Sequence, residues 1–146
     1  MAAPQFNEIV RKHRPRGYRL NERKMVANYG LTTLTTFSRT ISCEPIVDRF
    51  ALFIFLHECG HVHCRHMIKN RSGCGAPPWR EEYEADMYAA QAMRAEGIPV
   101  PRECVRERKE IIRDLIKEWN AKHEYEHVDD EDVLYYAYGR NWRKHR

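Results

Sequence analysis

The sequence predicts an α+β fold, mostly helical, with a small β-hairpin or sheet ahead of a central buried helix. Three observations carry this expectation. Apolar residues recur at helical spacing in three long segments after residue 48. Residues 31–43, Leu-Thr-Thr-Leu-Thr-Thr-Phe-Ser-Arg-Thr-Ile-Ser-Cys, are rich in β-branched side chains and partly alternate. Glycine and proline punctuate the chain at 73–78, 97–101 and 139.

Taken in order, residues 1–23 are polar and basic, and Pro15 and Gly17 interrupt any long helix. Phe6, Ile9 and Val10 allow one short amphipathic turn there. The β-branched stretch reads as a hairpin breaking near Ser38-Arg39, with Leu31, Thr33, Thr35 and Phe37 on one face and Pro45 closing it. Asp48 then suits the N-cap of a helix running to about His66. Phe50, Phe53, Ile54, His57 and His61 share a face, while Leu52, Phe55 and Leu56 fill the other, as in a helix buried all round. Residues 70–78 are a loop by composition. A second helix follows from about Trp79 to Glu96, stopped by Gly97 at a C′ position. Pro101 suits the start of a third, about 102–121, where Cys104, Arg108, Ile111, Ile112, Leu115 and Trp119 form a stripe. Asp129 to Asp132 cap a last short helix ending near Gly139, with Val133, Tyr136 and Ala137 facing in.

A chain of 146 residues fits one domain, residues 1–146, and buries roughly 70% of the surface its unfolded form exposes. Neither disulfides nor a metal is needed merely to fold. The core is expected at about 24–121, with basic N- and C-terminal extensions. Residues 1–30 hold seven Lys/Arg against Glu8 and Glu22, and Arg140, Arg143, Lys144 and Arg146 end the chain without an acid. A mildly acidic body thus carries two basic ends, expected to be solvated. The longest strongly apolar run, Phe50 to Leu56, is too short to cross a bilayer, which takes about 20 residues. The N-terminus lacks a secretory pattern, and five cysteines are an odd number for a disulfide framework. The expected location is cytoplasmic, with reduced thiols.

Residues 57–61 read His-Glu-Cys-Gly-His, a His-x-x-x-His pair with a glutamate inside it, on a segment already assigned to a helix. Positions i and i+4 lie one above the other on a helix face, so both imidazoles can bind one ion at about 2.0–2.1 Å. Glu58 sits about 100° around the helix. There it is no co-ligand, but it is placed to act as general base on metal-activated water. Random placement at this composition yields about 0.04 such matches per chain, so chance is a poor explanation. Catalytic zinc wants a third protein ligand and an open position. His66 falls one residue off the helical phase, with no glycine to bend the helix, so it is rejected. His63 points away, towards the surface. In the second helix Glu82 and Asp86 share a face, and Ala85, Ala89 and Ala92 keep that helix slim enough for close approach. Glu82 is the expected third ligand, with Glu81 and Glu84 as rivals. Asp86 is expected to orient a ligand histidine through its second ring nitrogen.

His57-Glu58-x-x-His61, followed about 20 residues later by Glu82-x-x-Ala85-Asp86, resembles the gluzincin zinc peptidases. It is most similar to the soluble ImmA/IrrE-type metallopeptidases, whose second motif corresponds to Glu82-Tyr83-Glu84-Ala85-Asp86-Met87-Tyr88-Ala89 here. The resemblance covers roughly residues 31–97. It implies a minimal zincin-like fold and a Zn2+ cofactor held by His57, His61 and Glu82. Glu58 is the implied catalytic base, and the implied substrate is a protein or peptide, such as a regulatory protein. The chain lacks the fused helix-turn-helix domain that some members carry. An oxyanion stabiliser is expected among Tyr83, Tyr88, His123, His127, Tyr135 and Tyr138. The segment Thr32 to Phe37 would suit an edge strand to which a substrate peptide adds.

Two other readings use the same chain. Cys59, Cys64 and Cys74 with His63 or His66 would make a sulfur-rich structural zinc site, although no paired-cysteine knuckle is present. Cys43 and Cys104 read as small core residues. The second is a zinc-binding protein that does not catalyse but docks on nucleic acid or a protein partner through its basic tails.

Overall fold

The computed structural model describes residues 2–23, 39–66 and 76–146, together with the backbone of 33–35. The architecture is mostly helical with a small sheet. The helices are α1 (Asn7–His13), α2 (Arg49–His63), α3 (Pro78–Ala95), α4 (Arg102–Lys122) and α5 (Glu131–Tyr138), and short 3-10 helices cover Pro4–Phe6 and Gly139–His145. The strands are β1 (Arg19–Glu22), β2 (Thr33–Thr35) and β3 (Thr40–Cys43).

β2 and β3 pair antiparallel, Thr33 opposite Ser42 and Thr35 opposite Thr40, as the hairpin expectation requires. β1, which the sequence does not announce, pairs parallel to β3 with Arg19 opposite Thr40, so the strand order is β1-β3-β2. Arg-Leu-Asn-Glu has no β-branched residue, and its strand conformation comes from its neighbour in space rather than from propensity. The faces expected for Leu31 and Phe37, the loop residues 70–75 and Cys74 lie outside the described residues.

Asp48 caps α2 by accepting the Ala51 N–H at 2.8 Å. Leu52, Phe53, Phe55, Leu56 and Cys59 of α2 are fully buried, which matches a central helix. α3 ends in a Schellman motif: Gly97 takes φ +71°, its N–H donates to the Arg94 carbonyl, and the Ile98 N–H donates to the Met93 carbonyl at 2.9 Å. Asp130 caps α5 through the Asp132 and Val133 N–H groups.

Two apolar clusters form the core. One joins α1, the sheet, α2 and the Ala89–Met93 face of α3. The other gathers Trp79, Ile112, Ile116, Val128, Val133, Leu134, Ala137 and Trp142. The core therefore reaches beyond the expected span of 24–121. Ala2, Phe6, Ile9 and Val10 are buried in the first cluster and Trp142 in the second, so neither basic end is a simple solvated tail. Their charges face water while their apolar residues face in. No described helix is long and apolar enough to cross a membrane.

Candidate metal centre

α2 carries His57 and His61 on the face turned towards α3. Their Nε2 atoms lie 3.1 Å apart with the rings edge-to-face. Glu82 on α3 reaches both: its Oε2 is 3.1 Å from Nε2 of His57 and its Oε1 is 3.3 Å from Nε2 of His61. That reach depends on how closely the helices meet. A Cβ added to Gly60 would lie 3.0 Å from Cα of Ala85 and 3.1 Å from its carbonyl oxygen. Gly60 and Ala85 thus let the two backbones touch, one turn from the ligands. One donor atom from each of His57, His61 and Glu82 falls within 4.8 Å of the others. Of the three neighbouring acids, Glu82 is the one that meets the histidine pair, while Glu84 turns towards His66.

Behind the donors lies a second ring of partners. Nδ1 of His57 is 2.8 Å from Oδ1 of Asp86, which is fully buried. Asp86 also accepts from Nε of Arg108 at 2.9 Å and from the Tyr136 hydroxyl at 3.1 Å. Arg108 donates as well to Glu82, so one guanidinium on α4 ties both acids of α3. Composition did not single out Arg108 or Tyr136 as site residues. The available signal was an arginine in the apolar stripe of α4 and a tyrosine on the inward face of α5.

His66 lies off the helical phase, as expected, but it is not remote from the histidine pair. α2 ends at His63, and Arg65 takes a left-handed conformation, φ 61°, without being glycine. This turn costs about 1–2 kcal/mol and swings His66 back into the interior, where it is 1% exposed. Its Nδ1 lies 2.8 Å from Nδ1 of His61 and its Nε2 lies 2.9 Å from Oε2 of Glu84. His66 is therefore not a donor beside His57 and His61, but it orients His61 as Asp86 orients His57. His63 is exposed, as expected, and stacks on Tyr88.

Burial opposes charge on His57, but hydrogen bonds to Asp86 and Glu82 outweigh it and raise its pKa from 6.5 to about 9. Burial would likewise raise Glu82, yet its hydrogen bonds to both histidines hold it far below the usual carboxylate range. Glu58 moves upward because burial outweighs the opposing pull of His57 and His61. A raised carboxylate suits a proton acceptor working near neutral pH.

Proton accounting tests whether this donor set fits a metal. Three neutral imidazoles carry three N–H groups. In the arrangement that an ion on both Nε2 atoms would require, Nδ1 of His57 donates to Asp86, Nδ1 of His61 donates to His66, and Nε2 of His66 donates to Glu84 across the observed contacts. An ion between the helices would take both inward Nε2 lone pairs beside Glu82; without one, those nitrogens hydrogen-bond to Glu82 instead. Two imidazoles and a carboxylate with fixed outer partners are a zinc-type donor set.

The expected oxyanion groups mostly have other partners. Tyr88 bonds His13 at 2.7 Å, His123 stacks on Trp119, and Tyr138 stacks on His145. Tyr83 packs edge-on against Tyr136, and His127 and Tyr135 are exposed. Cys59, one of the cysteines of the sulfur-rich reading, is buried in the first apolar cluster, and burial raises its pKa. Neither a protein-family model, nor a curated protein, nor a solved structure matches the chain.

Proposed function

We propose that this chain is a zinc-dependent peptidase similar to the gluzincins, with a minimal zincin-like fold. Its substrate is a peptide bond in a protein, and its place of work is the cytoplasm. His57, His61 and Glu82 hold the ion, Asp86 fixes His57, and Glu58 is the general base. The observation that carries the reading is the convergence of a ring nitrogen from each of His57 and His61 with a carboxylate oxygen of Glu82, while Nδ1 of each histidine already has a partner. Bound zinc supplies the Lewis acidity that acidifies water and polarises a carbonyl. Glu58 receives the water proton and delivers it to the leaving amine. Arg108 bridges the side chains of Glu82 and Asp86 from α4 and fixes both in place. β2, at one edge of the three described strands, offers its backbone to an extended substrate.

Metal content by mass spectrometry, paired with cleavage of a quenched fluorescent peptide mixture, tests this. Wild type should carry one zinc per chain, and His57→Ala and Glu82→Ala should carry none. Glu58→Gln should keep zinc and lose about 10²–10⁴-fold in turnover. Zinc retained in Glu82→Ala would reassign the third ligand, and unchanged cleavage by Glu58→Gln would end the peptidase proposal.

A second reading draws on a different observation. Arg94, Arg102, Arg106, Lys109 and Arg113 surround Val100 and Val105 in a groove of about 420 Å³. Such a groove suits an acidic partner or nucleic acid better than the chain ends do. A zinc-binding docking protein of this kind would keep full function in Glu58→Gln and bind DNA in a salt-sensitive way.

A further inference from the structure

We infer that Cys64, His66 and Glu84 form a second divalent-metal site, and that filling it is incompatible with filling the first. The linkage between the sites rests on the metal reading of His57, His61 and Glu82. The second site itself rests on its own geometry. Sγ of Cys64, a ring nitrogen of His66 and a carboxylate oxygen of Glu84 fall within 4.8 Å of one another. The left-handed turn at Arg65 is what folds His66 back beside Cys64. Nε of Arg80 holds Oε1 of Glu84 at 3.2 Å, which leaves Oε2 directed at His66. Thiolate, imidazole and carboxylate together suit zinc and the ions that substitute for it, and are too soft a set for magnesium or calcium.

The incompatibility follows from hydrogen-bond direction. An ion on Nε2 of His66 obliges that ring to carry its N–H on Nδ1, pointing at His61. His61 must then accept there and carry its own N–H on Nε2. That N–H points at His57, which accepts it across 3.1 Å. Every hydrogen bond in the line is again satisfied with three neutral rings, but His61 no longer offers a lone pair to the first site. With both sites filled, two N–H groups would face each other across the 2.8 Å between His61 and His66. The line of rings therefore has two complete arrangements, one for each ion, and none for both. Excess metal should act on this protein as an inhibitor.

Cobalt(II) is the probe, because a thiolate ligand adds a near-ultraviolet charge-transfer band and an all-nitrogen-and-oxygen site does not. Glu82→Gln, which weakens the first site, should bind cobalt with the thiolate band. Cys64→Ser and Glu84→Gln should each bind one equivalent without it, with circular dichroism confirming the fold of all three. In wild type the second equivalent should bind at least tenfold more weakly than the same site does in the variant that isolates it. A missing band in Glu82→Gln, or a band that survives Cys64→Ser, overturns the second site. Two equivalents binding wild type with the affinities of the isolated sites overturn the incompatibility. Failure of the first site would show separately, as no cobalt bound by Cys64→Ser.

Discussion

Asp86 is a carboxylate with no exposure to water, and it survives there because three donors reach it. A buried charge is tolerable only with such pairing. Removing the cation is therefore the severe change. Arg108→Met should cost about 3–5 kcal/mol of stability, since Asp86 and Glu82 would both lose their counter-charge. Tyr136→Phe removes one neutral donor and should cost about 1 kcal/mol. Urea unfolding of the two variants measures the difference, and equal small losses would show that Arg108 is a surface bystander. The pairs His57/His61 and Glu82/Asp86 were legible in the sequence because i and i+4 share a helix face, while helix phase left Glu81 and Glu84 as rivals of Glu82. Arg108 was not, because an arginine in an apolar stripe reads equally well as a long stem lying along the core with its head in water. His66 was missed for a different reason. Its position depends on a left-handed arginine, and no local pattern encodes a left-handed residue that is not glycine.

Contact between α2 and α3 is the element on which the donor triangle depends. Gly60 sits against the backbone of Ala85 and Cβ of Tyr88, so an added methyl has no flexible neighbour to push aside. Gly60→Ala should cost about 1–3 kcal/mol and separate Glu82 from the histidines. Zinc affinity should fall with stability. Affinity titration beside thermal unfolding checks both, and unchanged zinc binding would mean that Glu82 follows α2 by some other route. Helix ends were readable locally, from Asp48, Gly97, Pro101 and the stretch Asp129 to Asp132, because capping is local chemistry. The hairpin was readable from its β-branched run. β1 was not, since its hydrogen bonds go to a strand well separated in sequence.

At the scale of the whole molecule, the basic ends are the point where composition misled. Charge counts treat Trp142 as part of a basic tail, whereas it lies 7% exposed in the second cluster with Val133, Leu134 and Ala137. Trp142→Ala should lower stability by about 3 kcal/mol, and differential scanning calorimetry would register it as a lower melting temperature. No change would mark the C-terminal turn as an ornament on a core complete without it. The N-terminal segment is held more tightly still. The Ala3 N–H donates to the Ile46 carbonyl, and Glu22 at the end of β1 accepts the Ile46 N–H at 3.0 Å. β3 is the last of the described strands in sequence yet takes the central place between the other two. Closing the β2–β3 hairpin costs less chain entropy than bringing β1 to β3, which orders events in time. In a stopped-flow refolding experiment, the hairpin is expected to form early and β1 to dock afterwards. The clasp around Ile46 closes only at that second step, so the base of α2 is anchored late, on the slower clock of long-range pairing.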